Sequence, residues 1–246
     1  MDSFFGASQE RVNRWNFEAM TNFRQISPKV QDHLKLVYLT LCSALISAAL
    51  GAYAHILYNI GGTFTMLACV ACIIWLMSIP QAQTTKRVRL LMAVAALQGS
   101  TLGPLIEYAI DIDMGILVTA FVGTAVSFTC FSMAALVAKR REYIYLGGFL
   151  GSGLSILMWV RLASFLFGNS VAMFNVELYM GLVLFLGYII FDTQMIIENA
   201  HRGDLNYVNH ALELFTDFVA VFVRILIIML KNKSGKGEKE KKKRSD

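Results

Sequence analysis

The sequence predicts an all-α polytopic membrane protein with seven transmembrane helices. Of its 246 residues, 56% are hydrophobic and the mean hydropathy is +0.55, which is too apolar for one soluble domain. Apolar stretches near the ~20 residues that a helix needs to cross a bilayer recur along the whole chain. The chain has three prolines and no long polar insertion, which leaves no room for a second globular domain.

Seven apolar segments carry this prediction. Inside lipid every backbone polar group must be hydrogen-bonded within the protein, so each segment is expected to be a helix. The segments lie at about residues 36–58, 62–80, 88–106, 114–138, 143–167, 174–198 and 207–230. They divide the chain into a cytosolic N-terminal arm (1–34), a seven-helix membrane domain (35–230) and a basic, disordered C-terminal tail (231–246).

Basic residues set the expected orientation, because cytosolic connections of membrane proteins are enriched in Lys and Arg. The second and fourth connections are basic, whereas the first, third and fifth contain no Lys or Arg. The N-terminus and the turn HRGD (201–204) are therefore expected in the cytosol. The basic residues of the two connections are Lys86, Arg87 and Arg89, and Lys139, Arg140 and Arg141.

The net charge of +5 belongs to the C-terminal tail, because the rest of the chain is neutral. This distribution does not indicate nucleic-acid binding. A basic run after an apolar helix end resembles calmodulin targets and also suits anionic membrane lipids, so calmodulin and lipid headgroups are candidate partners. The basic residues are Lys231, Lys233, Lys236, Lys239, Lys241, Lys242, Lys243 and Arg244.

The side on which the tail lies depends on the last segment. Seven complete crossings would place the basic tail in the lumen, against the positive-inside rule. A re-entrant or tilted last segment would keep the tail in the cytosol, which we expect. The ending KKKRSD resembles a dibasic signal for retrieval to the endoplasmic reticulum, which also requires a cytosolic tail.

Other site chemistries receive little support from the sequence. Cys69 and Cys72 form a C-x-x-C without a second pair or a histidine set, so buried thiols are expected rather than zinc. Intramembrane aspartyl proteases also place two aspartates on neighbouring helices, but their Gly-x-Gly-Asp and Pro-Ala-Leu motifs are absent. We therefore expect no enzyme and no cofactor, apart from calcium as a permeant or bound ion.

Two aspartates stand out because they lie inside apolar helices. Asp192 follows the apolar run from Leu178 to Phe191, and Asp217 lies in LFTDFVAVFV. A carboxylate at the centre of a membrane helix costs roughly 2.5–3.5 kcal/mol on insertion scales. Asp192 lies about seven residues before the 199–206 turn and Asp217 about ten after it. At 1.5 Å per residue, both lie about 10–15 Å from the same side and can face each other.

The last helix also carries a polar stripe. Its members, spaced by 3, 4 and 7 residues and therefore on one helix face, are His210, Glu213, Asp217 and Arg224. In one interpretation Asp217 pairs with Arg224 or another cation and only holds the bundle together. In the other, Asp192 and Asp217 share a poorly hydrated site that responds to protons. Such a site can also hold Ca²⁺, since carboxylate oxygens suit that ion.

Two stretches of the sequence carry a family resemblance. One is GSTLGPLIEYA (99–109) with TAFVGTAVSF (119–128), and the other is GYIIFDTQMIIENAHRGDLNYVNHALELFTDF (187–218). Both resemble signatures of the Bax inhibitor family, also called the transmembrane Bax inhibitor motif family. With its basic ending, the chain looks most like the endoplasmic reticulum branch, in particular its plant members.

The resemblance implies a seven-helix fold with the last helix central in the bundle. It also implies a suppressor of programmed cell death in the endoplasmic reticulum membrane, with a pH-sensitive calcium leak. By motif, the pH-sensing pair falls on Asp192 and Asp217. Bacterial members pair this site with an arginine near the end of the second helix, where this sequence has Gln81. Plant members are linked to calmodulin through the basic tail.

Two functional classes remain open at this point. One is a proton-gated cation leak that uses the aspartate pair. The other is a non-conducting interaction protein that restrains death signalling through other membrane proteins. Calcium flux from purified protein in liposomes would separate them.

Overall fold

The apolar segments form seven α-helices in a computed structural model, which describes residues 27–138, 145–168 and 170–245 without the side chains of 167 and 235–245. The helices are α1 (Pro28–Tyr58), α2 (Thr63–Ser78), α3 (Thr84–Ile112), α4 (Met114–Val137), α5 (Leu146–Phe167), α6 (Val171–His201) and α7 (Tyr207–Ser245). Within the described ranges there is no strand, so the all-α prediction is confirmed. Most of the predicted N-terminal arm and the basic residues Lys139, Arg140 and Arg141 lie outside the described residues.

The outside of the bundle suits a membrane. Five helices, α1, α3, α4, α5 and α6, are long and apolar enough to cross a bilayer. α2 is a shorter apolar helix of 16 residues, and α7 interrupts its apolar stretch with charged side chains. Large apolar side chains cover the exterior, such as Phe64 at 89% and Phe165 at 85% exposure. Lipid would cover these side chains, as expected for a polytopic membrane protein.

The last membrane helix is central in the bundle, as the family resemblance implies. α7 packs against α1, α3, α4 and α6. Its side chains Leu214, Val221 and Leu226 are completely buried, and Phe218 packs edge-on against Phe128 of α4. A membrane helix surrounded by protein rather than lipid can carry ionisable side chains, because neighbouring protein groups and enclosed water solvate them.

α1 and α3 pack closely because small residues lie between them. A Cβ atom added at Gly51 would lie 2.0 Å from the Ala96 carbonyl oxygen, and one at Gly99 would lie 1.9 Å from the Ala48 carbonyl oxygen. Ser100 Oγ donates a hydrogen bond of 2.8 Å to the Gly51 carbonyl. Small residues allow this approach of membrane helices, and the pair forms one wall beside α7.

α7 crosses the whole bundle. At its start, Asn206 and Asn209 accept hydrogen bonds from Arg87, near the start of α3. Farther along, Lys233 donates to Asp113, the residue that follows α3. The two helices therefore run side by side over about 40 Å, at 1.5 Å per residue. The expected re-entrant last segment is wrong, because α7 enters on the face where α3 begins and reaches the face where α3 ends.

We call the face that contains Arg87 and Asn206 the near face, and the face that contains Asp113 and Lys233 the far face. By connectivity, the start of α1, the end of α2, the start of α3, the end of α4, the start of α5 and the α6–α7 turn share the near face. The basic residues predicted for the second connection, Lys86, Arg87 and Arg89, lie in the first turns of α3. The basic tail leaves the bundle at the far face. The start of α1 and the base of the tail therefore lie at opposite faces of the bundle, and which of these faces is cytosolic stays a prediction.

The tail continues α7 as a helix through Ser245 and is not disordered as its composition predicted. Two glutamates each precede a basic residue by four positions, Glu238 before Lys242 and Glu240 before Arg244, a spacing that favours a helix. The predicted boundary between 230 and 231 is thus a change of composition rather than of secondary structure.

Candidate functional site

The two membrane aspartates meet between α6 and α7. Asp192 and Asp217 interact through their carboxyl groups. Asp217 is 4% exposed, and its Oδ2 atom has no hydrogen-bond partner in the described part of the chain. Asp192 is half-buried. The structure thus brings together the side chains that the helical rise placed at one depth; their functional role stays a prediction.

Aromatic side chains line α6 beside the aspartates. Tyr188 lies one turn before Asp192, within electrostatic reach of both carboxyl groups. Its ring lies 5.9 Å from that of Phe185 and 6.2 Å from that of Phe191. Rings of this kind lower the local dielectric constant, which strengthens repulsion between two ionised carboxylates. A shared proton or a bound cation would relieve that repulsion.

Glu213 continues the acidic groups toward the near face. It lies one turn before Asp217 on α7, and its charge interacts with those of Asp192 and of Asp204 in the α6–α7 turn. Its side chain is exposed. Carboxylates therefore extend from the near-face turn to the buried aspartates, and a line of like charges concentrates cations along it.

His210, the first residue of the predicted stripe, contacts a histidine of α1 that the sequence did not single out. His33 Nε2 and His210 Nδ1 lie 2.9 Å apart, and both side chains are buried. The helical spacing of α1 could have predicted that His33 faces inward. Buried positions on this helix recur at intervals of one helical turn, and they are Val30, His33, Leu34, Val37 and Leu41.

Arg87 is a second near-face residue that sequence reasoning missed as a contact residue. Its side chain is buried, and its guanidinium donates to Asn206 Oδ1 at 2.7 Å and to Asn209 Oδ1 at 2.6 Å. We expected a basic residue of a cytosolic connection at this position. The available signal was the pair of asparagines three residues apart, with Asn206 just before α7 and Asn209 in its first turn.

Arg224, the last residue of the stripe, does not pair with Asp217. Its Nη1 donates to the Ala220 carbonyl at 2.9 Å, and its guanidinium lies 4.4 Å from the ring centre of Phe185. It lines a far-face cavity of about 690 Å³ together with Arg161 and Glu177, which form an ion pair. The interpretation in which Asp217 is neutralised by Arg224 is therefore wrong.

Two other candidate features do not contribute groups to the aspartate site: the position that is arginine in bacterial members, and a metal-binding cluster. Gln81 lies in the exposed turn between α2 and α3. Within the described ranges, no group of three or more His, Cys, Asp or Glu is arranged to hold a metal ion. Ca²⁺ takes 6–8 oxygen ligands, so an ion at Asp192 and Asp217 would need most of its ligands from water or other groups.

The basic tail meets the far face through its first residues. Lys231 donates to Asn175 at the start of α6, and Lys233 donates to Asp113 at 2.6 Å. The remaining predicted tail residues are Lys236, Lys239, Lys241, Lys242, Lys243 and Arg244, whose side chains lie outside the described part of the structure. The bundle therefore holds the base of the tail by two hydrogen bonds.

Known proteins of one family match the chain along nearly its whole length. Residues 30–234 match the family described as inhibitor of apoptosis-promoting Bax1. The chain belongs to this family. It is 58% identical to Bax inhibitor 1 of Arabidopsis thaliana over 95% of this chain and 96% of that protein. It is also 58% identical to Bax inhibitor 1 of Oryza sativa subsp. japonica, over 99% of both.

A more distant relative covers the same helices. Bax inhibitor 1 of Homo sapiens is 43% identical over 89% of this chain and 93% of that protein. The family match spans all seven helices up to residue 234 and thus includes both aspartates. The resemblance inferred from the sequence motifs is confirmed, and the chain is a multi-pass membrane member of a family of cell-death suppressors.

Proposed function

We propose that this Bax inhibitor family member suppresses programmed cell death from the endoplasmic reticulum membrane through a proton-regulated calcium leak. The observation that carries the proposal is the contact between the Asp192 and Asp217 carboxyl groups inside the bundle. Family membership supports the death-suppressing role, and the carboxylate pair supports the handling of protons and cations.

The aspartate pair supplies a simple competition between protons and calcium. When the two carboxylates share a proton, their mutual repulsion is relieved and the pair titrates as a unit. When that proton leaves, two negative charges face each other beside aromatic rings. Their oxygens then attract a hard divalent cation such as Ca²⁺. Proton binding and calcium binding at Asp192 and Asp217 therefore oppose each other.

Charges on either side of the pair favour a slow leak over an open channel. On the near face, Asp204 and Glu213 attract cations toward the pair. On the far side, Arg224 lies seven residues beyond Asp217, next to Phe185 and the far-face cavity. A fixed guanidinium there opposes the passage of cations, which limits the rate.

Calcium release from liposomes that contain the purified protein tests the proposal. The wild-type rate should change between roughly pH 6 and 8. In Asp217→Asn this pH dependence should be weakened, because the variant removes one of the two carboxylates that share a proton, although Glu213 still interacts with Asp192. Asp32→Asn is the matched control, since it removes a surface carboxylate that pairs with Lys35 at 3.0 Å. If Asp217→Asn keeps the wild-type pH profile, the pair is structural.

The same preparation separates the second functional class. A wild-type protein that protects cells against Bax but releases no calcium from liposomes at any pH would be a non-conducting interaction protein. Its partners would then be other membrane proteins of death signalling, and the aspartate pair would serve stability.

The basic tail supports membrane lipids as a partner in either orientation, because anionic headgroups attract a dense cationic segment. Calmodulin can reach the tail only if the far face is cytosolic, because Lys231 and Lys233 fix the base of the tail at that face. The retrieval signal proposed for KKKRSD has the same requirement. Calcium-dependent retention of the intact, membrane-embedded protein on immobilised calmodulin would support calmodulin as a partner.

A further inference from the structure

The far-face cavity, about 690 Å³ in volume, lies among the far ends of α5, α6 and α7. In the half of α5 nearer its start, Leu150 and Leu157 are buried and pack with Leu184 of α6. Farther along α5 the cavity lies between that helix and α7, since both helices contribute to its lining. The far ends of these helices therefore enclose a space that side chains of the bundle do not fill.

Two arginines and one glutamate are the charged groups of the cavity lining. Arg161 of α5 and Glu177 of α6 form an ion pair. Arg224 of α7 donates to the Ala220 carbonyl of its own helix, and no carboxylate in the described part of the chain forms an ion pair with it. One of the two positive charges therefore lacks a counter-charge in the lining, which favours an anionic ligand.

The guanidinium of Arg224 keeps donors available for such a ligand. Its central carbon lies 4.4 Å from the ring centre of Phe185, so the ring covers one face of the guanidinium. The five N–H donors of a guanidinium lie in its own plane, and within the described residues Arg224 uses them only toward Ala220. Phosphate oxygens accept from this planar set two at a time. A phosphate group is therefore the ligand chemistry that this side chain favours.

Apolar side chains form much of the remaining wall of the cavity. They come from all three helices and are Phe165, Phe174, Leu178, Val223 and Ile227. Phe165 and Phe174 are exposed on the outside of the bundle, where lipid would cover them. The cavity is thus open to lipid, and it combines an unpaired cation with an apolar wall. A phospholipid has the matching combination of an anionic phosphate and apolar acyl chains.

The depth of the cavity suits a lipid headgroup. Arg161 lies six residues before the end of α5 and Glu177 six after the start of α6, so both lie about 9 Å from the far ends of their helices. From such a depth, a long arginine side chain reaches the headgroup level. Lys231 lies seven residues beyond Arg224 on α7 and donates to Asn175 of α6, which adds a positive charge at the far-face edge.

We propose that the far-face cavity binds one anionic phospholipid. Its phosphate accepts hydrogen bonds from Arg224 and is attracted by Arg161, and an acyl chain lies along Phe165 and Phe174. A zwitterionic phospholipid carries the same phosphate but no net charge, so it binds more weakly. The site depends neither on the calcium leak nor on the cationic run at the end of the tail, because its charges belong to α5, α6 and the membrane part of α7.

Native mass spectrometry of the full chain in detergent micelles tests the site. The first phosphatidylinositol bound by the wild type should bind about tenfold more tightly than phosphatidylcholine with the same acyl chains. Arg224→Gln should lower the affinity for phosphatidylinositol about tenfold, the effect of losing a charge-assisted hydrogen bond. Arg89→Gln is the matched control and should bind like the wild type. Arg89 is an exposed near-face arginine that donates to the Thr85 carbonyl one turn earlier, as Arg224 does to Ala220.

Glu177→Gln supplies a test with the opposite sign. It leaves Arg161 without its carboxylate partner, so the cavity becomes more positive and the affinity for phosphatidylinositol should rise about threefold. A misfolded variant would not gain affinity in this way. The double variant Lys242→Gln with Lys243→Gln removes two charges from the tail and should leave the affinity for the first lipid unchanged.

Each outcome supports the cavity site or overturns it. Equal wild-type affinities for the two lipids overturn it, and so does a loss in the tail variant as large as that in Arg224→Gln. Displacement of the lipid by inorganic phosphate, compared with chloride at the same ionic strength, would show a site for a free anion and overturn the lipid assignment. If Arg224→Gln does not fold, Glu177→Gln decides, because an unchanged or lower affinity overturns the proposal.

Discussion

Arg224 shows that a side chain's partner depends on the space beside it as well as on helix-face spacing. Seven residues separate it from Asp217, which puts the two on one face of α7 but about 10 Å apart along the axis. Its guanidinium lies over Phe185 instead, because Gly181 leaves room. A Cβ atom at Gly181 would lie 2.4 Å from Arg224 Nε. The absence of a side chain on α6 thus directs Arg224 away from Asp217.

Asp113 has two roles that a substitution can separate: its charge pairs with Lys233, and its side chain caps the start of α4. Its carboxylate accepts from Lys233 at the base of the tail and from the Gly115 N–H at the start of α4. These contacts, first of all the hydrogen bond from Lys233, hold the pKa of Asp113 below its ordinary value of 3.8. A lowered pKa means that the contact is complete above that value and is lost only as pH falls below it. The contact is therefore constant between pH 5 and 8.

We predict that Asp113→Asn frees Lys233 while leaving the pH response of the protein unchanged. Asparagine is also a good N-cap, so α4 should keep its start. Acylation of Lys233 at pH 7.5, measured by mass spectrometry against Lys29 of the same molecule, should be faster in the variant. The pH profile of calcium release between pH 6 and 8 should match the wild type. Equal acylation rates would show that the Asp113–Lys233 contact does not hold the tail.

At the scale of helices, the sequence predicted contacts between consecutive elements and missed those between distant ones. Asp192 and Asp217 were expected to face each other because α6 and α7 form a hairpin, in which depth follows from the rise per residue. His33 lies 177 positions before His210, and Arg87 lies 119 before Asn206. Local spacing shows that such residues face inward, but it does not show which helix is the neighbour.

We predict that the α1–α3 contact depends on Gly99. In Gly99→Ala the new Cβ would lie 1.9 Å from the Ala48 carbonyl oxygen, so the helices must move apart. Overpacking of this kind typically costs about 1–3 kcal/mol. Gly123→Ala is the matched control, because no atom lies within 4 Å of its Cβ position and alanine favours helix.

Thermal unfolding of the detergent-purified variants measures this difference. Gly99→Ala should lower the melting temperature, whereas Gly123→Ala should leave it unchanged or raise it slightly. If both variants unfold like the wild type, α1 and α3 do not depend on this close approach.

For the whole molecule, the number of crossings and the charge distribution conflict. Seven crossings place the start of α1 and the tail on opposite faces. Basic residues nevertheless lie close to the bundle in the sequence at both of these ends, before α1 and in the tail. The near face also carries Lys86, Arg87 and Arg89 at the start of α3, and Lys139, Arg140 and Arg141 lie in the sequence between α4 and α5, whereas the far-face connections contain no Lys or Arg. Short basic connections determine orientation most strongly, so the near face is expected to be cytosolic. From the sequence we resolved this conflict by predicting a re-entrant last segment. The contacts of α7 with α3 at both faces exclude a re-entrant α7.

We therefore predict that the basic tail is in the lumen. A glycosylation sequon placed after Asp246 on a short polar linker should receive a glycan in endoplasmic reticulum microsomes, and a sequon placed before Met1 should not. The natural sequon Asn232-Lys233-Ser234 is too close to the membrane end of α7 to be a reliable acceptor. The opposite result at both sites would show an inverted molecule with a cytosolic tail, which calmodulin could then bind. The same result at both sites would place both ends on one side and contradict the complete crossing of α7.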